Sequence, residues 1–92
     1  MSEPETIDQT LAEREKDYGF FADNAGYAQA IKCVYQSSPN WRKMEAHQRE
    51  ALDFIASKIG RLLSGNPHKP DTWHDIAGYV QLVETNLQGV KR

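Results

Sequence analysis

Apolar residues recur along this chain at helical spacing, and glycine and proline cut the pattern into four pieces. Residues 45–65, EAHQREALDFIASKIGRLLSG, carry the longest stripe: Leu52, Ile55, Ala56, Ile59, Leu62 and Leu63, closed by Gly65. A second stripe, Trp73, Ile76, Ala77, Val80, Val83 and Leu87, predicts a helix from about Asp71 to Leu87 that Gly89 ends. Residues 20–37 place Tyr27, Ile31, Val34 and Tyr35 at helical spacing. Gly26 lies inside that helix at a cost of about 1 kcal/mol relative to alanine, which predicts a close helix contact there. Residues 4–17 hold only Ile7 and Leu11 among good helix formers, so this helix is expected to be weaker and peripheral, stopping at Tyr18-Gly19. Ser38-Pro39 suits the start of a short helical turn carrying Trp41. No useful run of strand alternation occurs.

The expected architecture is therefore all-α. It is a small bundle of three main helices (20–37, 45–64 and 71–88) plus the weaker N-terminal one (1–19), in a single domain over residues 1–92. A chain this short buries little per residue, so self-association is expected to complete the bundle.

Composition narrows the functional classes. A hydrophobic fraction of 39% argues against disorder, and a formal charge of −2 announces no nucleic-acid binder. The single cysteine, Cys33, rules out an internal disulfide and is expected to be a small core residue. The polar, acidic start MSEPETIDQT does not read as a signal peptide, and no apolar run approaches the roughly 18 residues of a membrane span. The chain reads as soluble and cytoplasmic, with no membrane partner.

The candidate chemistry lies off the apolar stripes. At about 100° per residue, Glu50, Asp53 and Ser57 fall along one flank of the third helix, Lys58 on the other, and Arg61 nearly opposite the stripe. In the fourth helix Asp71, Asp75, Gly78 and Leu82 share the face away from Trp73. Gly78 would admit a ligand or a second backbone, and Leu82 suggests a second buried face. Facing helices bearing Glu50/Asp53 and Asp71/Asp75 would converge four carboxylates, the hard oxygen ligands that Mg²⁺ requires. Lys58 and Arg61 would neutralise phosphate oxygens, and Tyr79 would orient a ligand.

Each of these residues also has a plain reading. Asp71 follows Pro70 where an N-cap is wanted, and Thr72 with Asp75 resembles a capping box. Glu50, Asp53, Lys58 and Arg61 suit a solvated face. His47-x-x-Glu50-x-x-Asp53 drifts around the helix and lacks a zinc-type His pair. Trp41 and Trp73 are expected in the core.

The run REALDFIASKIGRLLSGNPHKPDTWHDIAGYVQLVE, residues 49–84, resembles small phage and prophage proteins of unassigned function, with their patterns E-A-L-D-x-I, K-I-x-R-x-L-x-G and D-x-W-x-D-I-A-G-Y. EREKDYGFFADNA, residues 13–25, resembles their R-x-x-x-Y-G-x-F-x-x-N-A. That group is distantly similar to the all-α nucleoside triphosphate pyrophosphohydrolases of the MazG type, which hold Mg²⁺ between carboxylate pairs on two helices and commonly form dimers or tetramers. The resemblance implies a protein that binds, and in its enzymatic form hydrolyses, a nucleoside triphosphate. Glu50 and Asp53 stand for the first pair, Asp71 and Asp75 for the second, and Lys58 and Arg61 for phosphate contacts. The spacing here, E-x-x-D and D-x-x-x-D, departs from E-x-x-E and E-x-x-D. A nucleotide binder without hydrolysis fits equally. The alternative expectation is a non-catalytic phage protein acting on a host protein, such as an inhibitor of a host defence system.

Overall fold

The structure, a computed structural model, describes residues 6–92. Those residues form four α-helices: α1 (Ile7–Tyr18), α2 (Phe21–Gln36), α3 (Ala46–Ser64) and α4 (Pro70–Leu87). A 3₁₀ turn over Pro39–Lys43, opened by Pro39 as expected, links α2 to α3. The all-α expectation holds.

Capping chemistry sets the helix ends. Thr6 caps α1 by accepting from the Gln9 N–H at 3.1 Å while the Gln9 side chain accepts from the Thr6 N–H at 2.8 Å. The helix expected from Pro4 thus begins at Ile7, and Pro4 itself lies outside the described residues. Glu45 and Gln48 form the same reciprocal box before α3. Lys69 is the N-cap of α4 and Pro70 its first residue, so Asp71 is not the cap. Pro70 has no N–H to lose and a preset φ, which starts the helix one residue earlier than the Asp71 signal suggested. Asp71 sits in the first turn, where a carboxylate meets the positive end of the helix dipole. Thr72, read as one half of a capping box, is instead buried.

Helix α3 is the centre of the molecule. It packs against α2 on one side and α4 on the other, while α2 and α4 do not pack closely on each other. The α2–α3 contact is close because Gly60 lies against the Asn24 backbone, where an added Cβ would meet the Asn24 carbonyl oxygen at 2.5 Å. Ser64 bonds the Asn24 side chain one turn along. The close contact expected at Gly26 is therefore at Gly60 instead. Gly26 is exposed, with nothing within 4 Å of the position a Cβ would take.

Helices α2, α3 and α4 lie side by side as a slab, and the chain as a whole, α1 included, has extents of 51 × 29 × 22 Å and a radius of gyration of 15.9 Å, against about 12 Å for a compact chain of this length. The fully enclosed positions are small: Ala28, Ala51, Ala56 and Gly60, with Thr72. Among the described residues no large side chain is fully buried. Trp73, expected in the core, is 55% exposed, with its indole N–H held by the Pro67 carbonyl at 2.8 Å. Cys33 is also exposed, because it falls on the side of α2 turned away from α3.

The two broad sides of the slab differ in character. Helical periodicity, anchored by the Gly60–Asn24, Phe54–Tyr79 and Lys58–Asp75 contacts, places Leu52, Ile55, Ile59 and Leu63 of α3 on one side. Tyr27, Ile31 and Val34 of α2 and Trp73, Val80 and Leu87 of α4 join them there. The opposite side presents Lys32, Ser57, Arg61, Glu50 and Asp75. Among the described residues no helix is long and apolar enough to cross a membrane.

Candidate functional site

The predicted site residues fall in three places on the polar side. Asp75 pairs with Lys58 at 3.1 Å across α4 and α3. Lys58 keeps only 17% of its side chain exposed, so this pair is partly withdrawn from water. One turn earlier on α4, Asp71 accepts from the Tyr18 hydroxyl at 2.7 Å, and Arg61 lies 5.0 Å from the Tyr18 ring centre. Asp71, Asp75, Lys58 and Arg61 thus lie on neighbouring turns of α3 and α4.

The first acidic pair goes elsewhere. Asp53 is turned toward α2, where it accepts from the Tyr35 hydroxyl at 2.5 Å and the Gln36 amide at 3.3 Å. Burial and then this bond push the Tyr35 phenol well above its ordinary range, which keeps it a donor. Glu50 lines a groove of about 250 Å³ with Phe54, Tyr79 and Leu82 near the far end of α4. Tyr79 stacks on Phe54 with ring centres 5.0 Å apart and planes 4° from parallel. Among the described residues, no three His, Cys, Asp or Glu side chains form a group that could hold a metal ion. The four carboxylates do not converge in one chain, because Asp53 is committed to the α2–α3 seam.

The residues that sequence reasoning missed surround Tyr18. Arg14 lies 5.1 Å from the ring centre and Lys69 Nζ 5.7 Å, so three cations border one phenol. Lys69 is ion-paired with Asp17 at 3.1 Å; among the described residues neither Arg14 nor Arg61 has a carboxylate partner. A cavity of about 220 Å³ opens here, lined by Arg14, Tyr18, Gly19, Phe21, Asn24 and Arg61 among others. A signal that could have found it was present: Arg14, Tyr18, Gly19, Phe21 and Asn24 are five of the six fixed positions in the pattern R-x-x-x-Y-G-x-F-x-x-N-A that residues 14–25 resemble. Taken only as a helix stop, Tyr18-Gly19 gave no reason to look there.

The Tyr18 bond holds the Asp71 carboxyl below the usual carboxylate range; desolvation opposes it, and Lys69 and nearby backbone N–H groups add to the lowering. A depressed carboxylate contributes stability that is complete above its unfolded-state pKa and is lost as pH falls through the folded-state value. Tyr18→Phe is therefore expected to raise the Asp71 pKa in a side-chain NMR titration and to shrink this acid-limb contribution. An unmoved Asp71 titration would show that the phenol does not set it.

No family model matches the chain, and no match was found among curated proteins or solved structures.

Proposed function

We propose that the chain is a MazG-like nucleotide-handling protein of phage type that binds a nucleoside triphosphate on its polar side, with Arg61 and Arg14 taking the phosphates. The observation that carries this reading is that both guanidinium groups border the Tyr18 cavity without a carboxylate partner among the described residues, a turn away from Asp75. Guanidinium forks match phosphate oxygens, and an exposed aromatic such as Phe21, on the cavity wall, offers a stacking surface for a base. Mg²⁺ is commonly held by one or two carboxylates plus the substrate phosphates, and Asp75 with Asp71 suits that mode. Asp53 and Glu50 lie apart from them, which favours binding over hydrolysis.

Thermal unfolding against nucleoside triphosphates, with and without Mg²⁺, tests the reading. At about 100 times its dissociation constant a ligand stabilises by about 2.7 kcal/mol, a rise of roughly 10 °C or more in a domain this small. Arg61→Ala is expected to abolish the rise. Asp75→Ala alone would strand Lys58, so the Mg²⁺ dependence is read in Lys58→Met with and without Asp75→Ala. No shift with any nucleotide would sink the reading.

A second reading, a non-catalytic protein that docks on a host protein, draws on the Phe54–Tyr79–Leu82 groove. There His47 Nδ1 is shielded from water without a hydrogen-bond partner. It differs in that Leu82→Glu would remove partner binding and leave nucleotide shifts intact.

A further inference from the structure

The Tyr18 cavity does not end at Arg61. A second cavity of about 270 Å³ continues it along the α2–α3 seam, and Phe21, Asn24 and Arg61 are walls of both. Asn24 meets Gly60 at one end of that seam and Tyr35 meets Asp53 at the other, so the two helices run antiparallel. The joined groove passes from Arg14 by way of Arg61 to Ser57 and Lys32. Lys32 lies two turns beyond Asn24 on α2, about 12 Å along the helix.

The cations of this groove are uncommitted. Among the described residues Arg14, Arg61 and Lys32 have no carboxylate partner, whereas Lys16, Lys58 and Lys69 are each ion-paired. Among the described residues lining the two cavities, Glu15 is the one carboxylate. Asp53, one turn beyond Ser57 on α3, already accepts from the Tyr35 hydroxyl and the Gln36 amide. Lys32 is half-buried, and an anion beside a cation partly withdrawn from water is screened less than on an open surface.

The order of these groups sets what fits. Phe21, 84% exposed and shared by both cavities, offers a stacking surface in the middle with cations on either side of it. A nucleoside triphosphate carries all of its charge on the 5′ side of the sugar. With its base on Phe21 and its phosphates on Arg14 and Arg61, it leaves Lys32 without an anion. We propose that the groove takes a nucleotide with phosphate on both sides of its sugar, the 5′ group on Arg14 and Arg61 and the 3′ group on Lys32. A free nucleoside 3′,5′-bisphosphate and a phosphodiester-linked dinucleotide share this chemistry. The inference rests on the nucleotide reading for the 5′ end and adds the α2–α3 half of the groove, which that reading does not use.

Calorimetric titration of the full chain at low salt tests it. The probes are a nucleoside 5′-monophosphate, the matching 3′,5′-bisphosphate and the 5′-phosphorylated dinucleotide, for each of the four bases. At least one of the bisphosphate and the dinucleotide is expected to bind about tenfold tighter than the monophosphate, as one charge-assisted phosphate contact gives. The tighter of the two identifies the source of the second phosphate. Lys32→Met keeps the stem of the side chain and removes its charge, and is expected to bring that ratio close to one. Lys91→Met removes an equal charge outside the groove and is expected to preserve the ratio. If a triphosphate binds but neither probe gains over the monophosphate, the inference falls and the nucleotide reading stands. Binding of none of these nucleotides, the triphosphate included, would overturn both. A gain that survives Lys32→Met would overturn the inference as well. So would affinity that climbs steadily from two to ten nucleotides with a steepening salt dependence, the mark of a strand-binding surface.

Discussion

Replacing Gly60 by alanine is expected to destabilise the protein by about 2 kcal/mol, although Gly to Ala in a helix ordinarily gains about 1 kcal/mol. The usual gain comes from the greater conformational entropy that glycine loses on folding. Here the new Cβ would lie 2.5 Å from the Asn24 carbonyl oxygen and 3.2 Å from the carbonyl carbon. These are backbone atoms inside α2, so no rotamer change relieves the clash and the two helices must separate. Separation loosens Ala28, Ala56, the Ser64–Asn24 bond and the Tyr35–Asp53 bond together. Gly26→Ala and Gly78→Ala are the internal comparison, since a Cβ at either position meets nothing within 4 Å. Urea unfolding should show those two gaining up to about 1 kcal/mol while Gly60→Ala loses stability. The same gain at all three positions would contradict the α2–α3 packing.

Gly19→Ala is expected to cost about 3 kcal/mol, from two sources of comparable size. Gly19 has φ +76°, a region that costs an L-residue about 1–2 kcal/mol, and an added Cβ would sit 2.6 Å from the Ser64 carbonyl oxygen. The corner matters because it aims Tyr18 at α4. Asp17 stands beside it, its carbonyl accepting from the Asn66 N–H at 2.8 Å and its carboxylate holding Lys69. If the corner is displaced, Tyr18 leaves Asp71. Two readouts should then move together: the unfolding midpoint falls, and the Asp71 pKa rises toward the ordinary carboxylate range. Loss of stability with an unchanged Asp71 would mean that the strain is absorbed within the turn and α1 stays in place.

What the sequence made legible was the set of helices, because a 3.6-residue period with glycine and proline punctuation is a local signal. The ends of α2, α3 and α4 fall within about a residue of expectation. The face that Asp71 and Asp75 share on α4 was also legible, because it needs only helix geometry. Which helix each face meets was not. Asp53 was grouped with Glu50 by its i, i+3 spacing, yet its partner is Tyr35, which nothing in the local pattern announces. Gly26 and Gly60 look alike in a helical run, and only the position of α2 decides which of them is a contact. The α4 stripe of Trp73, Ile76, Ala77, Val80, Val83 and Leu87 is not buried along its length: α3 covers Ile76 and Val83, with Tyr79 beside them, leaving Trp73, Val80 and Leu87 in the open.

Helix α1 contributes no buried residue, and Ile7 is 79% exposed at its start. Its attachment is concentrated at one end, in Tyr18, Asp17 and the Gly19 corner, while the rest of the helix relies on its own hydrogen bonds and the Thr6 cap. Twelve residues are marginal as an isolated helix in water. The first turns of α1 therefore open and close on their own, at a free-energy cost well below that of unfolding the slab. The molecule thus has two cooperative units of unequal stability, joined at the residue whose ring borders the candidate site. A ligand that gathers Arg14 and Arg61 around Tyr18 would draw the weaker unit into the stronger one.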